Sequence, residues 1–283
     1  MKTIKKDNNF LIAYILIIFA WNTLSIFIPY DIVSIYLQIM IAGIGIFAII
    51  WQMKLHKEKF LDMGFRINKK FPYGLLIGLI YIIVQSILIY WLPFQLGFTK
   101  LEINPNLNSN INLFLLTTQT LVTHTILMFL LGLSGEELAW RGYILPKLEK
   151  ATNKSKAIII NGILFSLWHI PVFFSLYKGG ALSLGWIILT LRIIEIGIVV
   201  IAYNILYLKT RELYVVSLLH ALEDVFVYKI IGDPALGVRS EKAIYLINIQ
   251  NEMMFQIIIL IGYVLGTLFM LLLCRLARIY FND

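Results

Sequence analysis

Only one cysteine, Cys274, occurs in the 283 residues. A lone thiol excludes an intrachain disulfide and any cysteine-based metal framework. Charge is scarce as well: 14% of residues are charged against 60% hydrophobic, with a mean hydropathy of +0.84. A soluble domain of this length could not cover so much apolar surface with polar side chains. The composition fits a polytopic membrane protein whose outer face is solvated by lipid. Acidic residues are outnumbered 16 to 24, and the surplus bases lie between apolar segments. They read as topology signals, so no nucleic-acid partner is expected. The chain also lacks internal repeats and low-complexity tracts. Its start, MKTIKK before an apolar run from Phe10, has no small-residue cleavage site. An uncleaved first span is expected rather than a removed leader.

What is present is a series of apolar runs, each about 20 residues and so long enough to cross a bilayer. They lie near 10–29, 32–52, 73–92, 157–177, 184–207 and 253–274, and two more segments, 112–148 and 213–230, are apolar but broken by ionisable residues. The expectation is an all-α transmembrane helix bundle of eight spans, a single integral-membrane domain over 1–283. With the N-terminus inside, the inner connections hold eighteen lysines and arginines and the outer ones five (Lys100, Lys178, Lys229, Arg239, Lys242). That asymmetry places both termini in the cytoplasm. Segment 53–71 becomes a basic cytoplasmic loop along the membrane surface, with His56 in it. The outer stretch FQLGFTKLEINPNLNSN and the one around Gly232-Asp233-Pro234 have the Asn, Pro and Gly chemistry of connections. Abundant Ile, Lys and Asn suit an AT-rich bacterial genome, hence a bacterial cell membrane.

Ionisable residues inside spans are costly and default to functional hypotheses. Ten qualify: His124, Glu136, Glu137, Arg141, His169, Arg192, Glu195, His220, Glu223 and Asp224. Helical geometry sorts them. Glu137 and Arg141 in GEELAWRGY are four apart with the acid first, the favourable ion-pair order. Glu136 is turned about 100° away, so one carboxylate is tied up and one is left over. Segment 111–149 would be about 57 Å long as one helix, too long for one crossing, and its polar start TTQTLVTHT is placed outside or along a wet face. With the inner boundary near Lys147, Glu136 lies about 16 Å deep. On the same rise, His169 lies about 20 Å below Lys156 and His220 about 14 Å below Arg211. Three ionisable side chains from three spans thus reach a similar level.

His220 and Asp224 are four apart and share a face, so the carboxyl can orient the imidazole. Phe165, four before His169, can wall that ring, and Pro171 kinks the helix just beyond it. A carboxylate with two imidazoles can activate water, as general base or through a metal. On the metal reading Glu136, His169 and His220 are the ligands and zinc is the ion, although the compact H-E-x-x-H motif is absent. Water activated inside a membrane implies hydrolysis of something that lives there, most plausibly a peptide bond.

The order Glu136-Glu137-(x3)-Arg141, Phe165-(x3)-His169, His220-(x3)-Asp224 on successive spans resembles the CAAX prenyl-protease and bacteriocin-processing (CPBP, Abi) family of intramembrane proteases. The resemblance covers about 120–230, within a catalytic core of 112–230. It implies that Glu136 is the base acting on water with His169 assisting, that His220 and Asp224 stabilise the oxyanion, and that Glu137, Arg141 and Phe165 support them. It further implies a membrane-embedded or lipid-anchored peptide or protein as substrate. An amide is common where Asp224 stands, and a carboxylate donates to an oxyanion only when protonated. Three roles stay open for Asp224: protonated donor, orienter of His220, or metal ligand. So do metal-free and metal-dependent schemes.

Three rival readings remain. Gly132-Leu133-Ser134-Gly135 has the shape of a rhomboid-like serine protease motif with His220 as base, though glycine-flanked serines also serve helix packing. Arg192 and Glu195 suit a transporter path or a self-neutralised structural pair. A scaffold without activity is the third. His124 is expected to hydrogen-bond between helices.

Overall fold

The computed structural model describes residues 2–107, 110–178, 185–232 and 243–277. Eleven helices occur among them. The chain begins with α1 (Lys2–Thr23) and α2 (Tyr30–Ile50), the latter ending in a wide π turn at Trp51–Leu55. Next come α3 (Phe71–Ser86), with a π turn at Ile87–Trp91, the short α4 (Leu92–Gln95) and α5 (Leu113–Ser134). Then follow α6 (Leu145–Ala151), α7 (Lys154–Trp168), α8 (Ile170–Lys178), α9 (Trp186–Thr210), α10 (Leu213–Val225) and α11 (Glu252–Leu276). Seven helical stretches are long and apolar enough to cross a membrane, matching the runs read from sequence. The eighth expected span, α10 with the π turn Phe226–Ile230, is set apart by Glu223, Asp224 and Lys229. Large apolar side chains such as Phe114 (81% exposed) and Leu16 (63%) point outward, as lipid solvation requires.

Helix starts follow local chemistry. Asn112, Asn153 and Asn251 each accept a hydrogen bond from the backbone N–H three residues on, at 3.1, 3.0 and 3.1 Å, capping α5, α7 and α11. The long segment 112–148 is divided rather than continuous. It breaks at Gly135, and Leu138–Ile144 is wound as a π segment before α6. Pro146 has no N–H to give the Gly142 carbonyl four residues back, so the helix widens ahead of it. Glycine decides where this break sits. A Cβ on Gly45 of α2 would lie 1.8 Å from the Ser134 carbonyl oxygen, and one on Gly135 2.5 Å from that of Ile41. The two backbones touch there, the close approach that small residues permit in membranes.

Three expectations need correction. The outer connection after α4 contains a strand, β1 (Thr99–Ile103), which pairs antiparallel with β3 (Tyr245–Ile249); β2 (Ile231–Gly232) pairs parallel with the other edge of β3. Both longer strands are rich in β-branched and aromatic residues, which outweigh the flanking turn chemistry. Segment 53–71 does not simply lie on the surface: Met63 is fully buried, and Gly64, at φ +99°, turns the chain so that its carbonyl accepts from Leu213 N–H at 3.0 Å. Within the polar stretch of α5, Thr118, Thr123 and His124 bond carbonyl groups of their own helix, while Gln119 is exposed. His124 is therefore satisfied within α5 rather than between helices. The outer connection beyond Gly232, with Asp233, Pro234, Arg239 and Lys242, lies outside the described residues, as does Arg278.

Candidate active site

The π segment Leu138–Ile144 is buried throughout, and it carries Arg141 into the bundle. Glu137 and Arg141 are both fully buried and bond at 2.7 Å, the pair that their spacing predicts. The same Glu137 oxygen also meets His220 Nδ1 at 2.8 Å. Sequence spacing assigned His220 to Asp224 alone; that contact is looser, 3.8 Å from Nε2. Arg141 is held further by Nε donating to Asn204 Oδ1 at 3.2 Å, and its guanidinium lies 5.0 Å from the Phe165 ring centre and 5.9 Å from that of Tyr203. Two flanking aromatic rings and a paired carboxylate are what a desolvated guanidinium needs.

His169 sits where α7 stops and α8 begins, two residues before Pro171. Its Nδ1 is 2.9 Å from the Phe165 carbonyl oxygen. A carbonyl only accepts, so Nδ1 carries the proton and Nε2 is left as an acceptor. Phe165 walls the ring at 4.7 Å between centres, as its spacing suggests.

A cavity of about 150 Å³ gathers these groups: Arg141, Phe165, His169, His220 and Asp224 all line it. Glu136 does not. Its half-buried carboxylate lies beyond the lining set and has no hydrogen-bond partner among the described residues. Ser134 lies outside as well, exposed, its hydroxyl donating to the Leu131 carbonyl at 3.1 Å. The structure thus does not bring Ser134 to His220. Arg192 and Glu195 pair at 3.2 Å and line the same cavity.

Sequence reasoning passed over two walls of this cavity. Glu223 lines it and accepts a hydrogen bond from the Tyr203 hydroxyl. Glu223 stood among the ten intramembrane charges but received no role. Tyr203 and Asn204 are uncharged residues of an apolar helix, and nothing in their spacing distinguishes them.

Among the described residues no three His, Cys, Asp or Glu side chains converge to hold a metal ion. His220 Nδ1 is occupied by Glu137 and His169 Nδ1 by a backbone carbonyl. Those contacts do not themselves exclude a metal, since a ligating histidine commonly bonds its other nitrogen in this way; it is because Glu136 lies off the cavity that the two histidines line that the set Glu136, His169 and His220 does not fit a zinc centre in this arrangement.

Comparison with known proteins singles out the segment just described. Residues 118–226 match the model of the Rce1-like family, the type II CAAX prenyl endopeptidases. All seven motif residues from Glu136 to Asp224 fall inside that match. A stretch of 49 residues, 17% of this chain, is 43% identical to CAAX prenyl protease 2 of Methanococcus maripaludis. The match spans 18% of that relative's own length.

Proposed function

We propose that this chain, whose residues 118–226 belong to the Rce1-like family of type II CAAX prenyl endopeptidases, is an intramembrane endopeptidase of a bacterial cell membrane. It hydrolyses a peptide bond in a membrane-associated protein or peptide. One observation carries the assignment of roles. A single Glu137 oxygen takes both Arg141 and His220, which leaves Glu136 as the unengaged carboxylate of the pair.

In this scheme Glu136 removes a proton from water as the water oxygen attacks the scissile carbonyl carbon. His169, with Nδ1 anchored, offers Nε2 to orient that water. The carbonyl π electrons move onto oxygen, and the oxyanion faces His220. Glu137 accepts from Nδ1–H and, with Asp224 on the other side of the ring, favours the imidazolium, whose second proton on Nε2 is directed at the oxyanion. Collapse of the intermediate breaks the C–N bond, and the proton held by Glu136 passes to the leaving amine. Asp224, 3.8 Å from His220 Nε2, acts here as orienter of the ring. It leaves the donor role to the imidazole.

A second reading has its own support. His169 lines the cavity and Glu136 does not, which favours His169 as the base with the Glu136 charge taking no part. The test is cleavage of membrane-tethered peptides by purified protein in lipid. Glu136→Ala is expected to lower the rate by about 10²-fold or more, and Ser134→Ala to leave it unchanged. Glu136→Gln keeping near-full activity while His169→Ala abolishes it would establish the second reading. Loss in Ser134→Ala alone would overturn both.

A further inference from the structure

Not every buried polar group has a task in hydrolysis. Tyr81 and Gln85 are four residues apart on α3, so they share one face of that helix. They are 0% and 3% exposed, yet the Tyr81 hydroxyl and both polar atoms of the Gln85 amide find no hydrogen-bond partner in the protein. Leaving such groups buried and unbonded is costly, and native proteins rarely do it. Gly266 of α11 makes room for both side chains. A Cβ there would stand 1.7 Å from Gln85 Oε1 and 3.4 Å from the Tyr81 ring.

The space beside them is small and its other walls are mostly apolar. A cavity of about 10 Å³ is lined by Tyr81, Gln85 and Glu223, with Ile82, Ile89 and Phe226 around them. That is room for one water molecule. Glu223 also lines the catalytic cavity, so one carboxyl belongs to both spaces. Its Oε2 accepts from the Tyr203 hydroxyl, and its Oε1 has no hydrogen bond among the described residues. Tyr203 leads on into the site. Its ring centre lies 6.1 Å from that of Tyr81, 6.2 Å from that of His220 and 5.9 Å from the Arg141 guanidinium.

We infer that this small cavity is a binding site for a single water molecule, and that Tyr81 and Gln85 are positioning residues that act through it on Glu223 and Tyr203. Donors and acceptors balance. The Tyr81 O–H and a Gln85 N–H donate to the two lone pairs of the water, and the water donates a hydrogen to Glu223 Oε1. Three bonds are what a buried water ordinarily makes. With both carboxyl oxygens engaged, Glu223 holds the Tyr203 hydroxyl in one place. The Tyr203 ring then keeps its station beside Arg141 and His220. The water site stands independently of the endopeptidase reading, whereas its effect on cleavage rests on that reading.

The test begins with the full chain in lipid, imaged at a resolution that shows ordered water. One density peak within hydrogen-bonding distance of the Tyr81 hydroxyl, the Gln85 amide and Glu223 is expected. A dry cavity, or a peak ringed by about six oxygens as a metal cation requires, would overturn the inference. Stability supplies a test of sign. Gln85→Leu nearly keeps the side-chain volume, and Tyr81→Phe removes one oxygen atom. If the two groups were merely unbonded, removing them would leave Tm unchanged or raise it, because a buried liability is gone. If they hold a water, each variant should lower Tm in detergent by about 2–4 °C; an unchanged or raised Tm in either would overturn the inference. Kinetics test the link to the site, measured well below the Tm of every variant. Gln85→Leu should lower kcat for a membrane-tethered peptide by about tenfold with KM unchanged. A wild-type kcat would overturn the positioning role and leave the water site to the density and Tm. Failure of the wild-type protein to cleave any tethered peptide would defeat the endopeptidase reading instead, and density and Tm would still decide the water site.

Discussion

Glu136 and Glu137 are chemically identical neighbours, and the bundle makes them different. Glu137 is fully buried and shares one oxygen between Arg141 and His220, while Glu136 stays half-buried without a hydrogen-bond partner among the described residues. The cost of a buried charge lies chiefly in leaving its partner alone. Arg141→Met should therefore destabilise the protein by about 3–5 kcal/mol, read as a lower Tm in detergent. Glu137→Leu combined with Arg141→Met should recover part of that loss, since neither member of the Glu137–Arg141 pair is then left without the other. A double variant no more stable than Arg141→Met would show that the pair is not the source of the effect. The ion pair was legible from the spacing of GEELAWRGY. That His220 is its third member was not, because residues 137 and 220 meet only through packing.

Two elements control how the site is framed. The first is the crossing of α2 with the end of α5 at Gly45 and Gly135. A methyl on Gly45 would stand 1.8 Å from the Ser134 carbonyl oxygen, so Gly45→Ala must push the helices apart. Overpacking of this kind costs on the order of 1–3 kcal/mol. It should also lower cleavage, because the break at Gly135 directly precedes Glu136; a variant with wild-type Tm and rate would refute the role assigned to the crossing. The second element is the segment after α2. Burial alone would raise the Glu58 carboxyl, but hydrogen bonds from Lys147 and Lys150 and their charges hold it down at about 2. The folded value is below the ordinary value of about 4.3, so the stabilisation is full above that pH and is lost as pH falls through about 2. Hydrogen exchange in residues 57–64, divided by its intrinsic rate at each pH, should be flat from neutral pH to about 4.3 and rise steeply toward pH 2. Glu58→Gln should remove that rise. His56 belongs to the same network, with Asp7 at 3.2 Å and the Tyr143 hydroxyl at 2.8 Å. It is thus a tie between α1 and the π segment rather than a plain surface residue.

At the scale of the whole molecule, the bundle converts scattered charges into one cavity. Arg141, His169, Arg192, His220, Glu223 and Asp224 come from four separate stretches of chain and line it together. Because no three metal-ligating side chains converge among the described residues, the purified protein should cleave equally well before and after dialysis against a chelator. Its zinc content, measured by mass spectrometry, should be well below one ion per chain. Activity lost to the chelator and restored by zinc would mean that Glu136 and the two histidine Nε2 atoms come together around a metal.

Composition alone pointed to a bilayer, since a chain with 60% hydrophobic and 14% charged residues has too few polar side chains to cover its outside in water. Run length determined the spans, because a helix must supply about 20 apolar residues to cross. Spacing of three and four residues determined which neighbours on one helix can touch, hence Glu137 with Arg141 and Phe165 with His169. Contacts between helices carry no such period, so tertiary structure alone decided the rest. It brought His220 to Glu137, Tyr203 to Glu223 and Asn204 to Arg141, paired β1 with β3 across more than a hundred residues, and buried Met63. A hydrogen bond across that distance in the chain is set by how whole helices pack, and local sequence has no means of recording it.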